Sequence, residues 1–200
     1  TTRYLKTNTI LAPILKILLK NKKTQNQKPM KKIIALIVFT MTLNSCAEKI
    51  IINREVDTPE YGKMLLGTQS LDQFQKDPYK TWYDENYNIY PIEKTALEGL
   101  KKEKLNSYNI TVFLGTWCGD SKRNFPRLMK ILDATKFPKN KLKIITVNRK
   151  KQSPNGEEVK YNITHVPTII IEKYGKEIGR IIEEPETGYI EKDLLNIIKK

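Results

Sequence analysis

Cysteine is the scarcest chemistry in this chain: 200 residues hold two, Cys46 and Cys118, beside a single histidine, His165. Two thiols so far apart, with one imidazole, are too few ligands for a four-coordinate zinc site within one chain, and no metal is expected. Acid is missing where base is dense. Residues 1–47 contain nine of the 36 lysines and arginines and no aspartate or glutamate, so 27 bases face 22 acids in the remainder. The net charge of +14 is therefore mostly a property of the leading segment, and the rest is mixed Lys and Glu surface. No nucleic-acid motif and no basic run interleaved with aromatics is present, which argues against a nucleic-acid partner. Phosphate loops, paired-carboxylate motifs, internal repeats and low-complexity tracts are also lacking, and no cofactor is expected. Nor does any apolar run reach the ~20 residues that a membrane-spanning helix needs.

What is there begins with a processing pattern. Met30-Lys31-Lys32 forms a basic start, residues 33–43 are apolar, and Asn44-Ser45-Cys46 follows. This resembles a bacterial lipoprotein signal, in which cleavage leaves the cysteine lipidated. The resemblance makes Met30 the expected start of the natural chain, 1–29 an upstream extension, 30–45 a signal peptide and Cys46 the lipid anchor. It also implies a bacterial cell-envelope location facing the periplasm. Two other readings stay open: a short core helix with a free thiol, and an uncleaved membrane anchor. Residues 46–60 are polar, contain Pro59 and read as a tether.

Residues 61–200 are the size of one domain. Residues 61–67 read as a first strand, 71–87 as one or two short helices broken at Asp77-Pro78, and 91–106 as a further helix. The run Asn-Ile-Thr-Val-Phe-Leu-Gly at 109–115 is β-branched and aromatic, too short for an ordinary helix, and reads as a strand. After it Phe125, Leu128, Met129 and Leu132 recur with helical spacing, with Pro126 placed to kink the helix. Residues 141–147 form another strand, Ser153-Pro154-Asn155-Gly156 is a turn, and 157–161 allow one short helix. Residues 168–171 and 177–182 flank Tyr174-Gly175-Lys176 as a hairpin, and 189–200 is a closing amphipathic helix.

Between that strand and that helix lies Trp117-Cys118-Gly119-Asp120-Ser121. A cysteine at a helix N-terminus faces free backbone N–H groups and the positive end of the helix dipole, and both favour the thiolate. The alternative is an inert cysteine packed as a small hydrophobe. Asp120 opposes the thiolate while Lys122 and Arg123 favour it.

These positions resemble the thioredoxin-like proteins, in which a strand ends in Trp-Cys-Gly-x-Cys and a helix kinked by proline follows. Trp117, Cys118, Gly119, Lys122 and Pro126 fall on that pattern. Ile163-Thr164-His165-Val166-Pro167-Thr168 resembles the family's cis-proline loop, Gly175 its hairpin glycine and Gly188 the glycine before its last helix. The resemblance spans roughly 108–200 and implies an α/β thioredoxin fold: a central mixed sheet flanked by helices, here with an N-terminal helical extension. It implies catalytic roles for Cys118, Ser121 and Pro167, and substrate contacts at Trp117, Gly119, Asp120 and Val166. His165 is either a proton partner for Cys118 or an exposed loop residue.

Three departures bear on mechanism. Ser121 stands where the second cysteine would be, Asp120 lies between, and Val112 replaces the buried acid of the preceding strand. A dithiol cycle cannot close within the site. Two functions remain open. One is a membrane-tethered monothiol protein that exchanges disulfides with cysteine-containing exported proteins or small thiols, by reduction, isomerisation or deglutathionylation. The other is a non-catalytic thioredoxin-fold module that binds partners through the Trp117 and Pro167 surface.

Overall fold

The computed structural model describes residues 51–200; Cys46, the expected signal peptide and the upstream extension lie outside them. Six strands form one mixed sheet: β1 (Arg54–Thr58), β2 (Gly62–Gln69), β3 (Asn109–Leu114), β4 (Leu142–Thr146), β5 (Thr168–Lys173) and β6 (Lys176–Ile182). Their spatial order is β1-β2-β4-β3-β5-β6. Only β3 and β4 run parallel; β1/β2, β2/β4, β3/β5 and β5/β6 are antiparallel. The helices are α1 (Tyr79–Ile89), α2 (Lys94–Lys102), α3 (Gly119–Ala134), the single-turn α4 (Glu157–Lys160) and α5 (Ile190–Ile198).

The period-two alternation of a strand explains how the core divides. Ile110, Val112 and Leu114 of β3, with Ile144, Ile169 and Ile171 of its neighbours, face a large cluster covered by α1, α2, α3 and α5. Phe113, Ile145 and Ile170, one position out of phase, face a smaller cluster with Val147, Ile163 and Val166. Trp117, Cys118 and Tyr161 pack against this second cluster. The reactive segment thus sits where β3 ends, over the less covered face of the sheet.

The face of α3 is buried as its spacing predicts, through Phe125, Leu128, Met129 and Leu132. Phe125 meets Phe74 with ring centroids 4.6 Å apart, and Tyr83 edge-on at 6.0 Å, which docks α1 against the helix that carries the site. The aromatic residues scattered through 71–87 are therefore one wall of the core.

Two boundaries differ from expectation. The described part of the expected tether is not a free linker, because Arg54–Thr58 is β1, paired with Val56 opposite Met64. Its polar composition is that of an edge strand with charges turned to water; Glu55 pairs with Lys63 at 3.4 Å and accepts the Tyr79 hydroxyl at 3.1 Å. The helix expected over 91–106 is shorter. Glu93 caps α2, its carboxylate accepting the Thr95 and Ala96 N–H groups at 2.9 and 2.7 Å, and the helix stops before Lys104, whose φ of 55° is left-handed.

Candidate active site

Cys118 is the N-cap of α3, with extended backbone angles (φ −87°, ψ 128°), and its carbonyl accepts the first helical hydrogen bond from the Lys122 N–H at 3.0 Å. Its thiol is free and half-buried. The sulfur donates to the Val166 carbonyl oxygen at 3.3 Å, and the Val166-Pro167 bond is cis. Two segments 48 positions apart in sequence therefore close on one sulfur. The Pro167 loop is held from outside, its Pro167 carbonyl accepting the Glu183 N–H at 2.7 Å, and from within, the Thr168 hydroxyl donating to the His165 carbonyl at 2.7 Å. Asn124 of α3 donates to the Glu183 carbonyl at 2.9 Å, so the helix and the loop share one support.

Trp117 is half-buried, with its indole N–H donating to the Val147 carbonyl at 2.9 Å. That bond fixes the ring across the end of β4. Gly115 is required beneath it, because a Cβ there would stand 2.6 Å from the ring. Gly119, by contrast, is exposed, and a Cβ on it would meet nothing within 4 Å. Open space therefore lies in front of the cysteine on the helix side.

Ser121 is fully buried, and its hydroxyl accepts the Gly115 N–H at 3.2 Å. No hydrogen bond joins it to Cys118; geometrically it braces strand end to helix start. His165 is exposed, its Nδ1 3.0 Å from the Thr164 hydroxyl, and it too has no hydrogen bond to Cys118. Asp120 pairs with Arg123 at 2.7 Å, and Arg123 also pairs with Glu184. The charge opposing a thiolate is thus partly neutralised one turn away.

Several residues at this site carry no motif in the sequence. Gly115, Val147 and Glu183 act through the backbone or by leaving room, and Asn124 through its side-chain amide. Arg149 lies over the Trp117 ring at 5.5 Å and over the Tyr61 ring at 4.3 Å. A basic residue shortly after a strand that runs parallel to the cysteine's own was the available signal.

A sheet that presents a helix-capping cysteine beside a cis-proline loop defines a thioredoxin-fold thiol site. The Thioredoxin family model matches residues 98–198, half of the chain, and the chain belongs to that family. A thioredoxin of Echinococcus granulosus is 34% identical over 101 residues, covering 50% of this chain and 86% of the relative. Among solved structures, a Pseudomonas aeruginosa protein of unknown function is 16% identical with a TM-score of 0.49, over 60% of this chain and 83% of that one. Mitochondrial thioredoxin 3 of Saccharomyces cerevisiae, in its oxidized form, is 26% identical with a TM-score of 0.30, over 48% and 86%. The family chemistry is thiol–disulfide redox exchange.

Proposed function

We propose that this protein is a membrane-anchored thioredoxin-like protein that performs monothiol thiol–disulfide exchange through Cys118. The observation that carries the reading is the Cys118 sulfur at the N-terminus of α3, against the Val166 carbonyl. The Cys118 thiolate attacks one sulfur of a substrate disulfide. That S–S bond breaks, a new one forms to Cys118, and the departing sulfur leaves as a thiolate that takes up a proton. In the free protein the Val166 carbonyl accepts the Cys118 thiol. An extended substrate strand whose N–H takes that carbonyl replaces the thiol there and brings its disulfide against the sulfur. Pro167 and Val166 form the substrate wall, and Trp117, Gly119 and Asp120 the opposite rim.

Ser121 contributes no sulfur, so the mixed disulfide is released by an outside thiol: the substrate's second cysteine, a small thiol or a partner protein. The substrates are cysteine-containing exported proteins or small thiols, met where disulfides persist, in the bacterial envelope facing the periplasm. The anchor is a lipid on Cys46, in line with the Met30 to Cys46 pattern; among the described residues no helix is long and apolar enough to cross a membrane.

The test is disulfide exchange by the full chain carrying Cys46→Ser, with Cys118 as its only thiol. Accumulation of a mixed disulfide by mass spectrometry, lost in Cys118→Ser, is the expected result. The buried, backbone-bound Ser121 favours a second reading, a partner-binding module with an incidental cysteine; unchanged partner capture by Cys118→Ser, with no mixed disulfide in the parent, would establish that instead. Separately, Cys46→Ser should release the protein from the membrane fraction, and retention there would overturn the anchor.

A further inference from the structure

Arg149 occupies a particular place on the Trp117 side of the site. Its guanidinium carbon lies 4.3 Å from the Tyr61 ring centroid and 5.5 Å from that of Trp117, the residue bonded to Cys118. The turn that carries it is braced. Asn148 Oδ1 accepts the Lys150 and Gln152 N–H groups at 2.9 and 3.0 Å. The Asn148 N–H donates to the Gln152 carbonyl at 3.0 Å, and the Lys151 N–H to the Asn148 carbonyl at 2.8 Å. A guanidinium lying over aromatic rings keeps its N–H edge free, in the fork geometry that matches a carboxylate.

The charge around it is uncompensated. Among the described residues no carboxylate forms an ion pair with Arg149, Lys150 or Lys151, whereas Arg123, the other arginine near Cys118, is taken up by Asp120 and Glu184. Arg149 and Lys150 are exposed, and Lys151 is half-buried. One rim of the site is therefore a fixed cationic flank, while the rim on α3 has its charge balanced.

We propose that Arg149 is a specificity-determining residue, selecting protein disulfides whose attacked cysteine is flanked in sequence by aspartate or glutamate. The inference rests on the exchange reading above. As the substrate strand lies along Val166 and Pro167, a carboxylate next to its cysteine reaches the Arg149 fork across Trp117. Cys118 then attacks the neighbouring sulfur; the new S–S bond forms as the old one breaks, and the leaving thiolate is protonated by solvent. Charge pairing of this kind speeds encounter most at low ionic strength.

The experiment uses the full chain with Cys46→Ser and two short peptides that differ only in two residues flanking their one cysteine, aspartates in one and lysines in the other. Each peptide is supplied as its mixed disulfide with 2-thiopyridine, and thiopyridone release is followed by absorbance at low ionic strength. Comparing the acidic-to-basic rate ratio between variants cancels the peptides' own reactivities. Arg149→Gln should lower that ratio about tenfold. Lys102→Gln removes the same charge from the end of α2, which leads into the far end of β3, and should leave the ratio unchanged. An equal ratio in the parent and Arg149→Gln, or an equal fall in Lys102→Gln, overturns the proposal while leaving exchange intact. Release from neither peptide by the parent overturns the exchange reading, and this inference with it.

Discussion

The Ser121 hydroxyl accepts the Gly115 N–H at 3.2 Å, so the position of a second thiol in a two-cysteine site is here a strut between β3 and α3. Both partners are buried, and removing the hydroxyl leaves a buried donor unpaired, at a cost of about 1–3 kcal/mol. Ser121→Ala should lower the urea midpoint accordingly while leaving the rate of Cys118 alkylation in the native state unchanged. A loss of alkylation without a loss of stability would instead give Ser121 a role in the chemistry.

Gly115 is the complementary case, a residue whose value is the space it leaves. A methyl group at 2.6 Å from the Trp117 ring forces that ring to move, and with it the indole bond to Val147 and the frame of Cys118. Gly115→Ala should slow disulfide exchange by roughly 10- to 100-fold, the scale of an ångström's misplacement. Circular dichroism should show the fold retained.

The sheet and α3 are legible in the sequence because their patterns are local. The short β-branched and aromatic run at 109–114 marks a strand, buried on both faces from Ile110 to Leu114, and the helical spacing of Phe125, Leu128, Met129 and Leu132 states which face of α3 is buried. β1 is not legible, since Arg54–Thr58 is an edge strand with few buried side chains and reads as any polar linker. The pairing of Ser121 with Gly115 is hidden for another reason: a buried serine in a helix's first turn has several backbone donors within reach. Arg149 over Trp117 is invisible because it depends on β4 lying parallel to β3, which delivers the two strand ends to one place.

Alkaline pH tests the aromatic wall behind α3. Burial pushes the Tyr79, Tyr83 and Tyr90 phenols above their ordinary range, and burial followed by the bond to Asp133 pushes Tyr87 up to about 12. A phenol whose folded value exceeds the unfolded ~10 holds its proton more tightly when folded. The stability it contributes is complete below pH ~10 and is lost as pH rises through the folded value. Denaturant midpoints should therefore fall between about pH 10 and 12. Tyr87→Phe should make that fall shallower, and an unchanged slope would count against the bond to Asp133.

Glu191 tests the seam between α2 and α5. Its carboxylate is fully buried, accepting the Tyr90 hydroxyl at 2.7 Å and the Glu93 N–H at 2.5 Å. Glu191→Ala strands both donors and should cost about 3 kcal/mol, on the scale of hydrogen bonds to charged groups. Glu191→Gln keeps an acceptor oxygen and should cost less. Equal losses in the two variants would mean that charge, not the bonds, holds the seam.

The pairing of Asp120 with Arg123 sets how much the first turn of α3 helps its own cysteine. Arg123 pairs with Asp120 and also holds Glu184, so the charges beside Cys118 on the first turn of α3 are balanced. Removing Arg123 exposes two carboxylates at the mouth of the site, whereas removing the Asp120 charge leaves a cation there. Arg123→Ala should slow Cys118 alkylation at neutral pH by about threefold, and Asp120→Asn should speed it by a similar factor, both effects shrinking with added salt because the pair is partly exposed. The double variant should fall near the parent, since each change cancels the other's charge. Rates that are the same in all three variants would mean that neither side chain sets the reactivity of Cys118.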